Sequence, residues 1–143
     1  MAHVISQQAE KVFRNAIARI PPGQTSVTIG EHGGAYMPLH VELIGKMKHG
    51  TPLNQVAYNL YSFAHYSEQN GDLMCDPDMV LEDIGLHGLI PTSYQQDYLG
   101  IFNQIYDVDE QTGLVRGVRL NLRQDLVKFA NMWAKNLHEQ QGL

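Results

Sequence analysis

Apolar positions change period along this chain, and the changes mark its elements. Between residues 4 and 20, Ile5, Ala9, Val12, Phe13, Ala16, Ile17 and Ile20 recur at helical spacing, with Glu10, Lys11, Arg14 and Arg19 largely on the other side. This predicts a helix that Pro21-Pro22-Gly23 stops. Thr25 to Ile29 alternates briefly, and Leu39, Val41 and Leu43 alternate with His40 and Glu42, as in a half-buried strand over 38 to 44. The segment KMKHGTP that follows reads as a loop. Residues 55 to 69 are rich in Val, Tyr and Phe and run into Asn70-Gly71, the strongest two-residue hairpin signal, because both positions of a type I′ turn need positive φ.

Residues 87 to 106 mix helical spacing at Tyr98, Ile101, Phe102 and Ile105 with a sheet-like composition, and strand is favoured. Asp107 to Gly113 reads as a polar turn and Leu114 to Leu120 as a last strand. From Asn121, taken as N-cap with Gln124 three residues on, Leu122, Leu126, Phe129, Ala130, Trp133 and Leu137 form a helical stripe. The expected fold class is α+β: one domain over 1–143, an antiparallel β-sheet flanked by an N-terminal and a C-terminal α-helix, with one sheet face covered.

Composition narrows the setting. The 143 residues are 43% hydrophobic and 17% charged, enough apolar material for one core and unlike a disordered chain. One cysteine, Cys75, excludes an intramolecular disulfide and a thiolate zinc site. The N-terminus lacks a signal-peptide core, and no stretch approaches a membrane span, so a cytoplasmic location without membrane partners is expected.

The net charge of −5 is unevenly spread. No Lys or Arg lies between Lys48 and Arg116, where ten carboxylates stand: Glu68, Asp72, Asp76, Asp78, Glu82, Asp83, Asp97, Asp107, Asp109 and Glu110. The centre is −10 and the remainder +5. Direct nucleic-acid binding is therefore not expected, since phosphate affinity comes from clustered cations. The tyrosines at 58, 61, 66, 94, 98 and 106 sit in or beside this acidic stretch and suit packing better than base stacking.

If Asn70-Gly71 is a two-residue turn, paired positions sum to 141, which sets Gln69 opposite Asp72, Ser67 opposite Met74 and His65 opposite Asp76. His65, Asp72, Asp76 and Asp78 then offer ligands of the kind a hard divalent cation takes, with His65, Asp72 and Asp76 as the minimal set. The same residues fit a purely structural reading in which Asp72 caps the turn, Asp76 initiates the Asp-Pro turn and His65 is a hydrogen-bonded partner. Pro77 makes the register beyond Asp76 uncertain. Cys75 alternates to the face opposite His65 and reads as inert. His32, His40 and His49 lack metal-ligand spacing, GEHGG at 30 to 34 does not match a phosphate loop, and no recognised catalytic motif occurs.

At HYSEQNGDLMCDPDMVLE (65 to 82) and PTSYQQDYLGIFNQIY (91 to 106) the chain resembles an uncharacterised bacterial domain-of-unknown-function family carried on plasmids, phages and conjugative elements, over about residues 36 to 140. The resemblance rests on His65-Tyr66, Asn70-Gly71-Asp72, Asp76-Pro77-Asp78-Met79, and Ser93 to Asp97 with Tyr106. It implies a mobile-element context and carries no activity. The functional expectation is a non-enzymatic accessory or protein-binding domain that meets an unidentified protein partner through an acidic hairpin surface. His65, Asp72, Asp76, Asp78, Tyr94 and Asp97 are the candidate binding residues. No cofactor is expected, a homodimer through a sheet edge is compatible, and the alternative is a metal-dependent hydrolase.

Overall fold

The computed structural model describes residues 4–31 and 33–143, so His32 lies outside the described residues. The order is α1 (Gln7–Ile17), β1 (Ser26–Ile29), β2 (Leu39–Thr51), β3 (Asn54–Gln69), β4 (Asp72–Asp83), β5 (Leu89–Gln96), β6 (Ile101–Gln104), β7 (Tyr106–Val108), β8 (Val115–Val118) and α2 (Leu120–Gln141). Strands β1 to β6 form one antiparallel meander in sequence order, and β7 and β8 form a separate two-stranded ribbon. The fold is α+β, with the two helices flanking the sheet as expected.

α1 begins where Ser6 accepts a hydrogen bond from Ala9 N–H at 3.1 Å, satisfying one of the donors that a helix start leaves unpaired. It buries Ala9, Val12, Phe13 and Ala16. Regular α structure ends at Ile17, short of the prolines, and the chain tightens through Arg19 N–H to Ala16 O and Ile20 N–H to Ile17 O. α2 starts at Leu120 with Arg119 at the cap and no side-chain cap bond. Asn121 therefore lies inside the first turn, and the expected capping box is not formed. The reason is that β8 ends at Val118 and hands the chain directly to the helix, leaving no room for Leu114 to Leu120 as a full strand.

The helices cover the sheet face carrying Leu39, Val41, Phe63, Met79, Leu81 and Leu89. Phe13 is the joint between layers. Its ring meets Phe63 edge-on at 4.9 Å and lies 6.0 Å from Trp133. Aromatic edge contacts of this sort add to the gain from burial alone. Arg14 fastens α1 to the far end of β4, donating to Glu10 at 2.6 Å, Asp83 at 3.1 Å and Gly85 O at 2.9 Å.

One expectation fails because of a β-bulge. KMKHGTP is not a loop but the second half of β2, which runs through Thr51 and pairs with β3 to the tip. The pairing shifts between Leu43 and Gly45. A bulge of one residue reverses the alternation, so Met47 and His49 face away from the helices while Lys46 and Lys48 do not. The Lys-rich alternation of a two-faced strand thus imitates a polar loop. Gly50 closes the tip at φ 100°, where a Cβ would meet Asn54 O at 2.1 Å.

The second face is not bare, as a one-faced sheet would have it. The ribbon β7–β8 covers one end of it, and residues expected as a turn begin as strand β7 before the turn at 109 to 113. Where the ribbon meets the sheet, Tyr106 and Leu114 come from the ribbon side and Met47, Leu60 and Ile90 from the sheet, and with them Glu82, with 0% of its surface exposed. Its carboxylate accepts from Tyr106 Oη–H at 2.6 Å and from His49 Nε2 at 2.5 Å. Burial of a carboxylate is tolerable only with such partners. Burial and the bond to Glu82 also push the Tyr106 phenol well above its ordinary range. Tyr106→Phe keeps the ring and removes one donor. It should cost about 1–3 kcal/mol, seen as a lower denaturant midpoint at unchanged m value, and an unshifted midpoint would show that Glu82 does not depend on this bond.

Candidate interaction site

The β3–β4 hairpin has the turn that Asn70-Gly71 predicts. Asn70 sits at φ 54° and Gly71 at φ 87°, and Gln69 faces Asp72, Glu68 faces Leu73, Ser67 faces Met74 and Tyr66 faces Cys75. The predicted register then breaks. Ala64 faces Asp78, so β4 holds one residue more than β3 between these pairs, and His65 stands against Asp76-Pro77 together. This is the irregularity that the missing N–H of Pro77 invites.

The shift separates the residues expected to act together. His65 is buried, its Nδ1 2.9 Å from Pro38 O and its ring edge-on to Trp133 at 5.5 Å. It belongs to the core, and the expected pair with Asp76 is not made. Asp76 instead accepts from the Gln96 side-chain amide. Asp72 is exposed at the turn. Asp78 accepts from Ser62 Oγ at 2.7 Å. Among the described residues, no three His, Cys, Asp or Glu side chains gather where they would hold a metal ion.

Two other groupings form, both through the Ser93 to Asp97 segment. Tyr94 packs edge-on against Phe129 at 4.9 Å and donates to Gln96 Oε1 at 3.0 Å, so Gln96 joins Tyr94 to Asp76. Asp97, where β5 gives way to a 3-10 turn, accepts from Cys75 N–H at 2.7 Å and Gln95 Nε2 at 2.7 Å. That turn interrupts the strand expected over 87 to 106, with β6 resuming at Ile101. Gln95 and Gln96 were not among the candidate residues. Their signal was present only as neighbours of Tyr94 and Asp97 in the motif.

Electrostatics at this end follow from the groupings. The Cys75 N–H and the Gln95 amide hold Asp97 below the usual carboxylate range. Burial pushes Asp78 up, opposed by the bond from Ser62 and reinforced by Asp97 and Glu42. Burial, with Asp97 and Asp78, lifts the Cys75 thiol to about 11, which keeps it protonated and poorly nucleophilic. A hollow of ≈ 580 Å³ between α1 and α2 is lined by none of the candidate residues.

The family model for a domain of unknown function (DUF6908) matches residues 5–143. The chain belongs to this family. No curated protein and no solved structure matches it. Within this DUF6908 chain, the motif residues around Asn70-Gly71 and at 93 to 97 join β4 to β5 at the hairpin end, and no helix is long and apolar enough to cross a membrane among the described residues.

Asp78 supplies a pH-dependent check. Its carboxyl titrates higher in the folded chain than in the unfolded one, so its contribution favours folding in acid and is lost as pH rises through the folded value. Asp78→Asn keeps an oxygen for Ser62 and removes the charge. Its melting temperature should exceed that of the wild type at neutral pH and show no gain in acid below the carboxylate range. A variant equally destabilised at both would mean that the Ser62 bond, and not desolvation, dominates.

Proposed function

We propose that this domain binds another protein through the hairpin end, presenting carboxylates to a basic surface as a non-enzymatic accessory of a bacterial mobile element. The genetic setting is supported by the resemblance of the motifs alone. The binding mode is supported by how the central negative charge is distributed.

Several of the ten central carboxylates are already engaged. Asp83 is paired with Arg14 and Asp107 with Arg116, Glu82 is buried, and Asp109 caps its own turn by accepting from Gln111 and Thr112 N–H. None of the ion pairs among the described residues involves Glu68, Asp72, Asp76, Asp78 or Asp97. All five lie on the β3–β4 hairpin or the turn after β5: Glu68 and Asp72 stand beside the Asn70-Gly71 turn, Asp78 and Asp97 act on each other electrostatically, and Asp76 sits with Gln96 and Tyr94. Leu73, 70% exposed, follows Asp72 and stands directly opposite Glu68 as an apolar contact within the charged surround.

That uncompensated group carries the reading. A field of one sign steers an oppositely charged partner and acts mainly on the association rate, while a central apolar residue provides contact area. The alternative, a metal-dependent hydrolase built around His65, Asp72, Asp76 and Asp78, draws no support from where those side chains stand.

Glu68→Gln combined with Asp72→Asn removes two exposed charges that make no side-chain bond in the fold. The double variant should melt like the wild type. Affinity capture from a host extract, with cross-linking, should recover fewer partners with the variant, and the apparent association rate should fall roughly tenfold at low salt, with the difference vanishing as salt is raised. Equal recovery of the same partners by both proteins would overturn the reading.

A further inference from the structure

Asn70-Gly71 is the one place in the sequence where an asparagine precedes a glycine, and no aspartate precedes one. A glycine in that position has no side chain to shield its nitrogen from the amide carbon of the residue before it. Both residues are exposed, and a Cβ at Gly71 would meet nothing within 4 Å. In a two-residue hairpin the ladder bonds belong to the flanking pair, Gln69 and Asp72, so the Gly71 N–H stays outside them.

Asn70 holds a left-handed φ of 54°. Ring closure between the Gly71 nitrogen and Asn70 Cγ turns the Asn70 ψ away from the left-handed value, so the turn must open for the two atoms to meet. Little resists that opening. Among the described residues no side-chain hydrogen bond or ion pair involves residues 67 to 74, and Glu68, Gln69, Asp72 and Leu73 are exposed. Backbone pairing alone closes this end of the hairpin. Segments with few buried contacts open locally at a small part of the cost of global unfolding.

We propose that Asn70 is a site of spontaneous deamidation in the folded protein. The Gly71 nitrogen, its proton passed to a solvent base, attacks Asn70 Cγ. The N–Cγ bond forms, the Cγ–Nδ2 bond breaks, and Nδ2 leaves as ammonia with a proton from water. A cyclic imide remains, and water adds to one of its two carbonyl carbons. Cleavage of the new N–Cγ bond gives aspartate, whereas cleavage of the original peptide bond gives isoaspartate, in which the main chain runs through Cβ and Cγ. No electron is gained or lost, and the sum is the exchange of NH2 for OH. Either product puts a carboxylate in the turn between Glu68 and Asp72. Isoaspartate also lengthens the turn by one backbone atom, which disturbs the pairing of Gln69 with Asp72. The proposal concerns the chemistry of the turn itself and does not rest on the acidic-surface reading.

Wild-type protein held folded in mildly alkaline buffer, then digested and mapped by mass spectrometry, should gain the mass of an amide-to-acid exchange at residue 70 before any at Asn54. Asn54 is also exposed at a hairpin tip but is followed by Gln55. A protein isoaspartyl methyltransferase should label the same peptide. The gain should quicken as pH rises, since the attacking nitrogen must lose its proton, and should quicken again in urea, where no turn has to open. Asn70→Asp, whose side chain tolerates the left-handed conformation, should elute from an ion exchanger with the charge of the aged wild type and gain no mass at this residue. Modification of Asn54 ahead of Asn70, modification of Asn70 in urea only, or a rate indifferent to pH or to urea would overturn the proposal.

Discussion

A meander of six strands has two faces, and two terminal helices can cover only one of them. Everything else about this chain depends on how the second face is handled. At one end it is closed by a small ribbon that has a carboxylate at its centre: Glu82 takes a hydrogen bond from β2 through His49 and from β7 through Tyr106. A buried carboxylate with two well-placed donors is costly to separate from either, because the remaining group stays desolvated. The bulge in β2 is the backbone counterpart. It turns Met47 and His49 toward the ribbon while Leu39 and Val41 stay against the helices. At the other end no ribbon lies over the sheet, and the strands present Thr28, His40, Glu42, Ser62, Tyr66 and Asp78 instead.

This division explains how one chain carries an apolar core and an acidic surface without conflict. Arg14 and Arg116 serve the packed parts, tying α1 to β4 and β7 to β8. Among the described residues the hairpin end has no such ion pair, and its carboxylates act on one another: Asp97 and Glu42 both raise the cost of ionising Asp78. Structure and charge are thus segregated along the strands, with the stabilising ion pairs where the sheet meets its covers.

The sequence made the helices, several of the strands and the Asn70-Gly71 turn legible, because each has a local cause: a 3.6-residue period, a period of two, or a pair of positive φ angles. The bulges were less legible, because the extra residue is stabilised by pairing with a distant strand: nothing local announces the one at Leu43 to Gly45, and at Asp76-Pro77 the proline marks an irregularity without fixing the new register. One such shift was enough to send His65 into the core and to dissolve the expected cluster with Asp72 and Asp76. Asp72, Asp78 and Asp97 remained at the hairpin end because an exposed turn and a strand end tolerate either register. Glu82 was hidden for the opposite reason. In sequence it is one more acid of a charged run, and only the ribbon arriving from residues 106 to 118 makes it a buried one.

Gln95 and Gln96 add a last physical point. An acidic group is usually fixed in a fold by a cation, which fixes its position and cancels its charge together. Here Asp76 and Asp97 are held by side-chain amides, with the Cys75 N–H as a further donor to Asp97. Neutral donors order a carboxylate and favour its ionised form without neutralising it, which is why Asp97 titrates low while still raising the pKa of its neighbours. A charge ordered in this way loses little further conformational freedom when a partner arrives, and that loss is one of the main costs of association. The amides at 95 and 96 therefore make the hairpin end both negative and preorganised, a combination that ion pairing would not have produced.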